Sequence, residues 1–478
     1  MKAKKFVGRE KELALLTNLL DKKSASLVAV KGRRRIGKSR LIQEFAKKSR
    51  FISLSGIAPI EGMTAVKQRK AFAEQLVQTL HIPEPNSDNW TNLFYQLAEQ
   101  TKTGRVIILL DEASWMAAHD DTFQVKLKNA WDQYFKKNPQ LILVLCSSIS
   151  SWIEKNIISN TAFMGRLSLT LHLQELSLSQ CNGFWGTHAE QISAYEKYKV
   201  LAVTGGVPRY LEEILPTERA EQTIQRLCFM QEGILANEFN HIFHDLFGAR
   251  SQIYRKLTEA LMAHPYATLE DIYAYLKMDK QSVITHYLED LAQAGFIRRF
   301  YTWHIKTRKP AKLSHFRITD NYLRFYLKYI APNAERIAKG DFDHIHLDDL
   351  PNWSTIMGLQ FENLVINNRK TLLALLNINP AKIVYDNPYH QAKTQRTEAC
   401  QIDYLIQDNH NIVYVIEIKF STKKMGASVI DDMKRKIAKL KLPAEFSYRP
   451  VLIHVNGVED AVERSGYFSK IVDFGELL

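Results

Sequence analysis

Two short patterns in this 478-residue chain set reactive side chains at spacings that chemistry can use. The first is GRRRIGKSR: Gly32 and Gly37 bracket four residues, and Lys38, Ser39 and Arg40 follow at once. Glycines so spaced let backbone N–H groups wrap a phosphate at a helix N-terminus, where the helix dipole adds attraction. Gly32, Arg33, Arg34, Arg35, Ile36, Gly37, Lys38, Ser39 and Arg40 are therefore expected to cradle a nucleotide polyphosphate, with Lys38 on the β and γ phosphates and Ser39 on Mg²⁺. The second pattern is Glu417-x-Lys419 inside NIVYVIEIKF. Side chains alternate across a strand, so this acid and base share one face with Val413 and Val415, while Tyr414, Ile416, Ile418 and Phe420 face a core.

Each pattern needs elements to hold it. The strand-like run SASLVAVKG precedes the glycine loop and the helical run RLIQEFAKK follows it, the setting of a Walker A loop. A second apolar strand, RVIILLDEASW, ends in Asp111 and Glu112. There Asp111 would hold Mg²⁺ through water and Glu112 would polarise the attacking water. RFISLSG, between the two, adds a further strand, and no second set of ATPase motifs follows.

For the second pattern, CQIDYLIQ and NIVYVIEIKF form a hairpin if the turn DNHN centres on His410. Asp403 then lies opposite Glu417, and Gln401 opposite Lys419. Like charges facing each other across a sheet are destabilising, and more so when buried. Something positive is expected between Asp403 and Glu417, and a second divalent cation, Mg²⁺ or Mn²⁺, is the simple candidate. Lys419 would then orient water or steady a developing phosphorane charge. A basic helix bearing Lys434, Arg435 and Lys436 follows.

Between these regions, from Ser251, come three short helical patterns and two strand-like runs. From Arg298 to Arg317 there are seven Lys or Arg and no acid, interleaved with Phe300, Tyr301 and Trp303. Cations suit phosphates and aromatic faces suit bases, so DNA is the expected partner. The net charge of +13 and pI near 9.3 favour a polyanion. Length implies about three or four domains. Cys146, Cys181, Cys228 and Cys400 show no metal-binding spacing. No run approaches the about 20 apolar residues of a spanning helix, and the start lacks a signal-peptide pattern, so a cytoplasmic protein with no membrane partner is expected.

FVGREKEL, GRRRIGKSR, LLDEASW, LILVLCSSISSW, FMGRLS and TGGVPRYLEE together resemble the archaeal-type ATPases, relatives of the AAA+ and STAND NTPases. The resemblance implies that Val7, Gly8 and Arg9 lie against adenine, that Pro208 closes the base pocket from a helical lid, and that the strand end at Ser147 and Ser148 supplies the polar residue, Ser147 first, that senses the γ-phosphate. Arg166 matches the arginine after the sensor strand; its reach in cis or trans, against a plain surface role, stays open. The stretch from Ser251 resembles a winged helix-turn-helix. The C-terminal pattern resembles PD-(D/E)XK nucleases, with Glu362 as the acid from the first helix and Gln401 departing from a second acid. The fold class expected is α/β: a P-loop ATPase core over 1–176, a helical lid over 177–248, a winged helix-turn-helix over 249–335 and a restriction-endonuclease-like α/β domain over 345–478. The function implied is an ATP-hydrolysing, DNA-associated protein with a metal-dependent nuclease-like domain, a second copy of the chain (a homo-oligomer) being a candidate partner; a STAND-like switch or DNA-binding regulator without cleavage is the alternative.

Overall fold

The structure, a computed structural model, describes residues 6–478 apart from 59–61, 281, 344, 392, 394–397 and 441. Among the described residues no helix is long and apolar enough to cross a membrane.

The N-terminal sheet holds β1 (Ser26–Lys31), β2 (Arg50–Ser55), β3 (Val106–Asp111), β4 (Leu141–Ser147) and β5 (Leu167–His172), all parallel and ordered β2-β3-β4-β1-β5. Helices cover both faces, so β1, β3 and β4 read as near-continuous apolar runs rather than alternating ones. One face packs Val28, Val30, Ile107 and Val144 with Leu41 and Ile42 of α1 (Lys38–Ala46); the other packs Leu27, Ile108 and Leu143 with Trp90, Phe94 and Phe123. Parallel strands share one carboxyl edge, and ligands of open α/β sheets collect there. Lys31, Asp111 and Ser147 all end strands at that edge.

A helical stretch then leads to α2 (Ile234–Phe247), α3 (Ser251–Ala263), α4 (Leu269–Leu276) and α5 (Ser282–Gln293), followed by an antiparallel pair, β6 (Ile297–His304) and β7 (Lys309–Ile318). Thr268 starts α4 with a capping box, its hydroxyl accepting from the Asp271 N–H while the Asp271 carboxylate accepts from Thr268. One apolar core runs from Val203 of the helical stretch through α2 to α5, both hairpin strands and Ile356.

The last region begins with α6 (Trp353–Asn367) and builds a mixed sheet, β12-β11-β10-β9-β8, from β8 (Ile383–Gln391), β9 (Cys400–Asp408), β10 (Ile412–Ile418), β11 (Ser447–His454) and β12 (Lys470–Asp473), with α7 (Ser428–Leu440) between β10 and β11. β9 and β10 pair antiparallel, Val413 with Gln407 through Ile416 with Tyr404, which is the register expected from a turn centred on His410. The expectation of one apolar face and one reactive face on β10 needs correction. Ile416 and Ile418 pack with α6 and the helical stretch, but Val413 and Val415 are fully buried too, against α7. β10 is a central strand covered on both sides.

The hairpin is tied to this sheet. Trp303 is buried against Tyr385 and Tyr389, and its Nε1 donates to Gln407 Oε1 at 2.5 Å. Phe300 is buried as well, leaving Tyr301 exposed. Of the three aromatics that could stack on bases, Phe300 and Trp303 are packing residues and Tyr301 alone is exposed.

Candidate functional site

Gly32 and Gly37 give the loop between β1 and α1 its shape. Gly37, at φ 87°, caps α1 in the left-handed region, and a Cβ on Gly32 would sit 2.7 Å from the Leu173 carbonyl oxygen. Lys38 emerges inside this curl, buried, with Nζ donating to Gly32 O at 3.0 Å, Arg33 O at 3.2 Å and Ser148 Oγ at 2.8 Å. Burial lowers the ammonium's pKa against the pull of Glu112 and Asp111, so the cation is held where a phosphate would relieve its desolvation.

The carboxylates at the end of β3 complete the arrangement. Ser39 Oγ donates to Asp111 Oδ2 at 2.5 Å. Burial raises the Asp111 pKa, a shift that the Ser39 hydrogen bond opposes. This hydroxyl and carboxylate form the all-oxygen set that Mg²⁺ takes from a protein when substrate phosphates supply further ligands, so the residues fit that ion. Glu112 stands at φ 50°, a left-handed conformation that costs a non-glycine residue energy and concentrates at functional positions. Its carboxylate accepts from the Ser148 N–H at 2.9 Å and from the Ser148 hydroxyl. Lys38, Ser148 and Glu112 thus form one hydrogen-bonded chain.

This chain borders a cavity of about 380 Å³, within the size of a small-molecule site. Phe6, Val7, Phe184 and Pro208 contribute apolar walls, and Lys38, Ser39, Glu112 and Ser148 polar ones. Ile36, Gly37 and Arg40 also line it.

Several expected roles change. Ser147 is fully buried, and its hydroxyl donates to Ser114 Oγ at 2.9 Å; the serine touching Lys38 and Glu112 is Ser148, one residue on. Arg9, in the left-handed region, lines the cavity, and its guanidinium donates to Ile36 O at 3.1 Å and Gln174 O at 2.6 Å, clamping the loop to the segment after β5. Gly8 packs on Leu176 and Gln180. Each loop arginine pairs with an acid, and Arg34 and Arg35 line the cavity while doing so. Arg33 is buried against Asp320 and Glu175, Arg34 pairs with Asp245 at 2.5 Å beside Trp115, and Arg35 with Glu238 at 2.6 Å. Burial alone would lower the Arg33 pKa, but the two carboxylates raise it above its ordinary value. Glu238 and Asp245 are seven residues apart on α2 and its only acids, a pattern visible in the sequence but mute about its partners. Arg166 pairs with Asp132, with its Nη2 at 2.8 Å, and does not line the cavity.

The C-terminal carboxylates do converge. Asp403 Oδ2 accepts from the Ile418 N–H at 2.8 Å, and Glu417 is almost wholly buried beside it. The positive charge between them is Lys436 of α7, its Nζ 2.5 Å from Glu417 Oε2 and 3.6 Å from Asp403 Oδ1. Lys419 Nζ lies 2.7 Å from Glu417 Oε1 without the alignment of a hydrogen bond. Burial and the Glu417 charge push the Asp403 carboxyl up to about 7, and Lys436 opposes them. Glu362 is committed elsewhere: Arg317 Nη1 donates to it at 3.0 Å. Among the described residues no three His, Cys, Asp or Glu side chains are grouped to hold a metal. Lys436 stands between Asp403 and Glu417, at the place expected for a divalent cation, and Glu362 is paired with Arg317.

Residues 6–214 match the family model described as an ATPase domain predominantly from Archaea. The chain is 26% identical over 428 residues to an uncharacterised protein of Methanocaldococcus jannaschii, covering 88% of each. It is also similar in structure to a Walker-type ATPase of Pyrococcus abyssi, at 17% identity and a TM-score of 0.52, covering 67% of this chain and 96% of that one. Over residues 6–214 the chain is similar to that ATPase family, and its fold there is an α/β core on a five-stranded parallel sheet.

Proposed function

We propose that this chain is an ATP-driven switch that associates with DNA. The observation that carries the reading is the hydrogen-bonded chain of Lys38, Ser148 and Glu112 beside the Ser39–Asp111 pair, at the mouth of a nucleotide-sized cavity. Lys38 would exchange its carbonyl and serine contacts for β and γ phosphate oxygens. Ser39 and Asp111 would hold Mg²⁺, which supplies charge neutralisation on the phosphates when bound. Glu112, released from Ser148, would orient and polarise the attacking water. Val7 and Pro208 would enclose the base. The three loop arginines give nucleotide occupancy a route to α2 and to Asp320 at the end of the hairpin.

In this reading 1–176 is the ATPase core, 177–248 the lid, 249–335 a winged helix and 345–478 a nuclease-like α/β domain whose Asp403 and Glu417 are neutralised by Lys436. A cytoplasmic location and self-association go with it. A second reading, phosphodiester cleavage by the last domain, is favoured by one observation: Asp403, Glu417 and Lys419 meet on adjacent strands in the expected register. Nucleotide titration of the wild type and of Lys38→Ala, beside plasmid incubation with Mg²⁺ or Mn²⁺ and Lys419→Ala, separates the readings. The switch predicts ATP binding lost in Lys38→Ala and intact plasmid throughout. Cleavage lost in Lys419→Ala would replace it with the nuclease reading, and equal ATP binding by the two proteins would overturn it.

A further inference from the structure

A second cleft, of about 890 Å³, opens where the ends of β1 and β5, the start of β6 and the residues after α6 meet. It shares no lining residue with the nucleotide cavity. Six cations line it, Lys31, Arg33, Arg298, Arg299, Arg369 and Lys370, against two acids, Glu154 and Glu175. Both acids are already engaged: Lys31 Nζ lies 2.6 Å from Glu154, and Glu175 accepts from Arg33 at 3.0 Å and from the Gly206 N–H at 3.0 Å. Arg298 and Lys370 are exposed and form no ion pair with a described residue. Arg369 pairs with Asp386, and Arg33 pairs with Asp320 as well as Glu175. Three cations without an ion pair to a described residue, Arg298, Arg299 and Lys370, in one recess suit a ligand carrying several negative charges.

The helix that a winged helix would lay in a duplex groove is unsuited to that task here. α5 contains Glu289 and Asp290 and no Lys or Arg, and its exposed residues include Val283, His286 and Glu289. The basic surface is displaced to β6 and the cleft. A recess of this volume is on the scale of a small-molecule pocket, too narrow for a duplex but open to a few nucleotides in extended form. Asn367, Asn368, Gln174 and Gln293 offer amides to bases and sugars. Tyr301 stands exposed on β6 with the Arg299 guanidinium 5.4 Å from its ring centroid, an aromatic platform of the kind that stacks unpaired bases.

We propose that this cleft binds single-stranded nucleic acid, its phosphates held by Arg298, Lys370 and their basic neighbours. The inference rests on the DNA-association reading above and narrows it to a strand and a place. Because Lys31 and Arg33 belong to β1 and the phosphate loop, a bound strand touches the nucleotide machinery directly.

The test is fluorescence anisotropy on the full-length protein with a labelled oligothymidylate and, separately, a duplex of equal length, across a salt series. Wild type is expected to bind the single strand more tightly than the duplex. The double variant Arg298→Ala/Lys370→Ala should lose about tenfold or more in affinity, and its salt dependence should flatten by about 1.4 in log–log slope, roughly 0.7 for each phosphate contact removed. A control pair on the far part of the hairpin, Lys309→Ala/Lys312→Ala, should bind as wild type does, and ATP hydrolysis by both double variants reports that they are folded. Unchanged single-strand binding in Arg298→Ala/Lys370→Ala overturns the cleft. Duplex binding without single-strand binding overturns the cleft but leaves DNA association standing. Binding of neither overturns both.

Discussion

Arg33→Met is the substitution whose cost the structure fixes most sharply. The guanidinium is buried between Asp320, which is 1% exposed, and Glu175. Asp320 also caps the turn that follows β7, accepting from the Leu323 N–H at 2.5 Å. Methionine keeps volume but removes the charge, leaving two buried carboxylates facing each other. Breaking a buried pair in this way costs about 3–5 kcal/mol, since the remaining charge is neither paired nor hydrated. Arg35→Ala removes a pair whose arginine side chain is 34% exposed, so solvent screening discounts it to about 1 kcal/mol or less. The penalty of Arg33→Met should shrink as pH falls. Burial already raises the Glu175 pKa, and without Arg33 that carboxyl takes up a proton more readily, which relieves the repulsion. Native-state hydrogen exchange of β1 and Asn321–Phe325 reads the local opening free energy without requiring all the cores to unfold together. Arg33→Met should lower it several times more than Arg35→Ala, and adding Asp320→Asn with Glu175→Gln should restore most of the loss. Equal effects of the two single substitutions, or no recovery in the triple variant, would refute the reasoning.

Other outcomes follow from the same geometry. Asp403 titrates near 3.8 when unfolded and about 7 when folded, so it binds its proton more tightly in the native state. Its contribution to stability is full below about pH 4 and is lost as pH rises through 7; thermal midpoints across that window should fall less steeply in Asp403→Asn. Lys436→Ala exposes Asp403 and Glu417 to each other, which should destabilise the protein and make its thermal midpoint rise more on adding Mn²⁺ than the wild type's does. Gly206→Ala drives a Cβ into the Leu176 carbonyl oxygen and should lower the thermal midpoint, whereas alanine at Gly165, where no heavy atom lies within 4 Å of a built Cβ, meets only the strain of its positive φ.

What could be read from the sequence was chemistry carried by neighbours in the chain. The phosphate loop is a continuous stretch, and its strand-before, helix-after setting is written beside it. The β9–β10 register followed from one turn because pairing sums are constant along a hairpin. What could not be read was which distant group satisfies each charge. Arg33 and Asp320 are 287 residues apart, and nothing local marks them as partners. Lys436 was visible as one of three cations on a helix, but only packing of α7 on β9 and β10 selects it over Lys434 and Arg435, which pair with acids on their own helix. Trp303 read as a base-stacking residue until the hairpin met β8 and β9. Ser148 rather than Ser147 faces the phosphate loop because β4 alternates, and a one-residue step reverses the face.

The central claim, that the chain of Lys38, Ser148 and Glu112 is a working ATP site, is tested most directly by Mg²⁺-dependent ATP hydrolysis measured beside nucleotide binding in wild type, Lys38→Ala and Glu112→Gln. The account predicts turnover by the wild type and loss of nucleotide binding in Lys38→Ala. In Glu112→Gln it predicts retained binding with turnover reduced by about 10²-fold or more, the range for removing a residue that activates the attacking water. Wild-type turnover in either variant would contradict it.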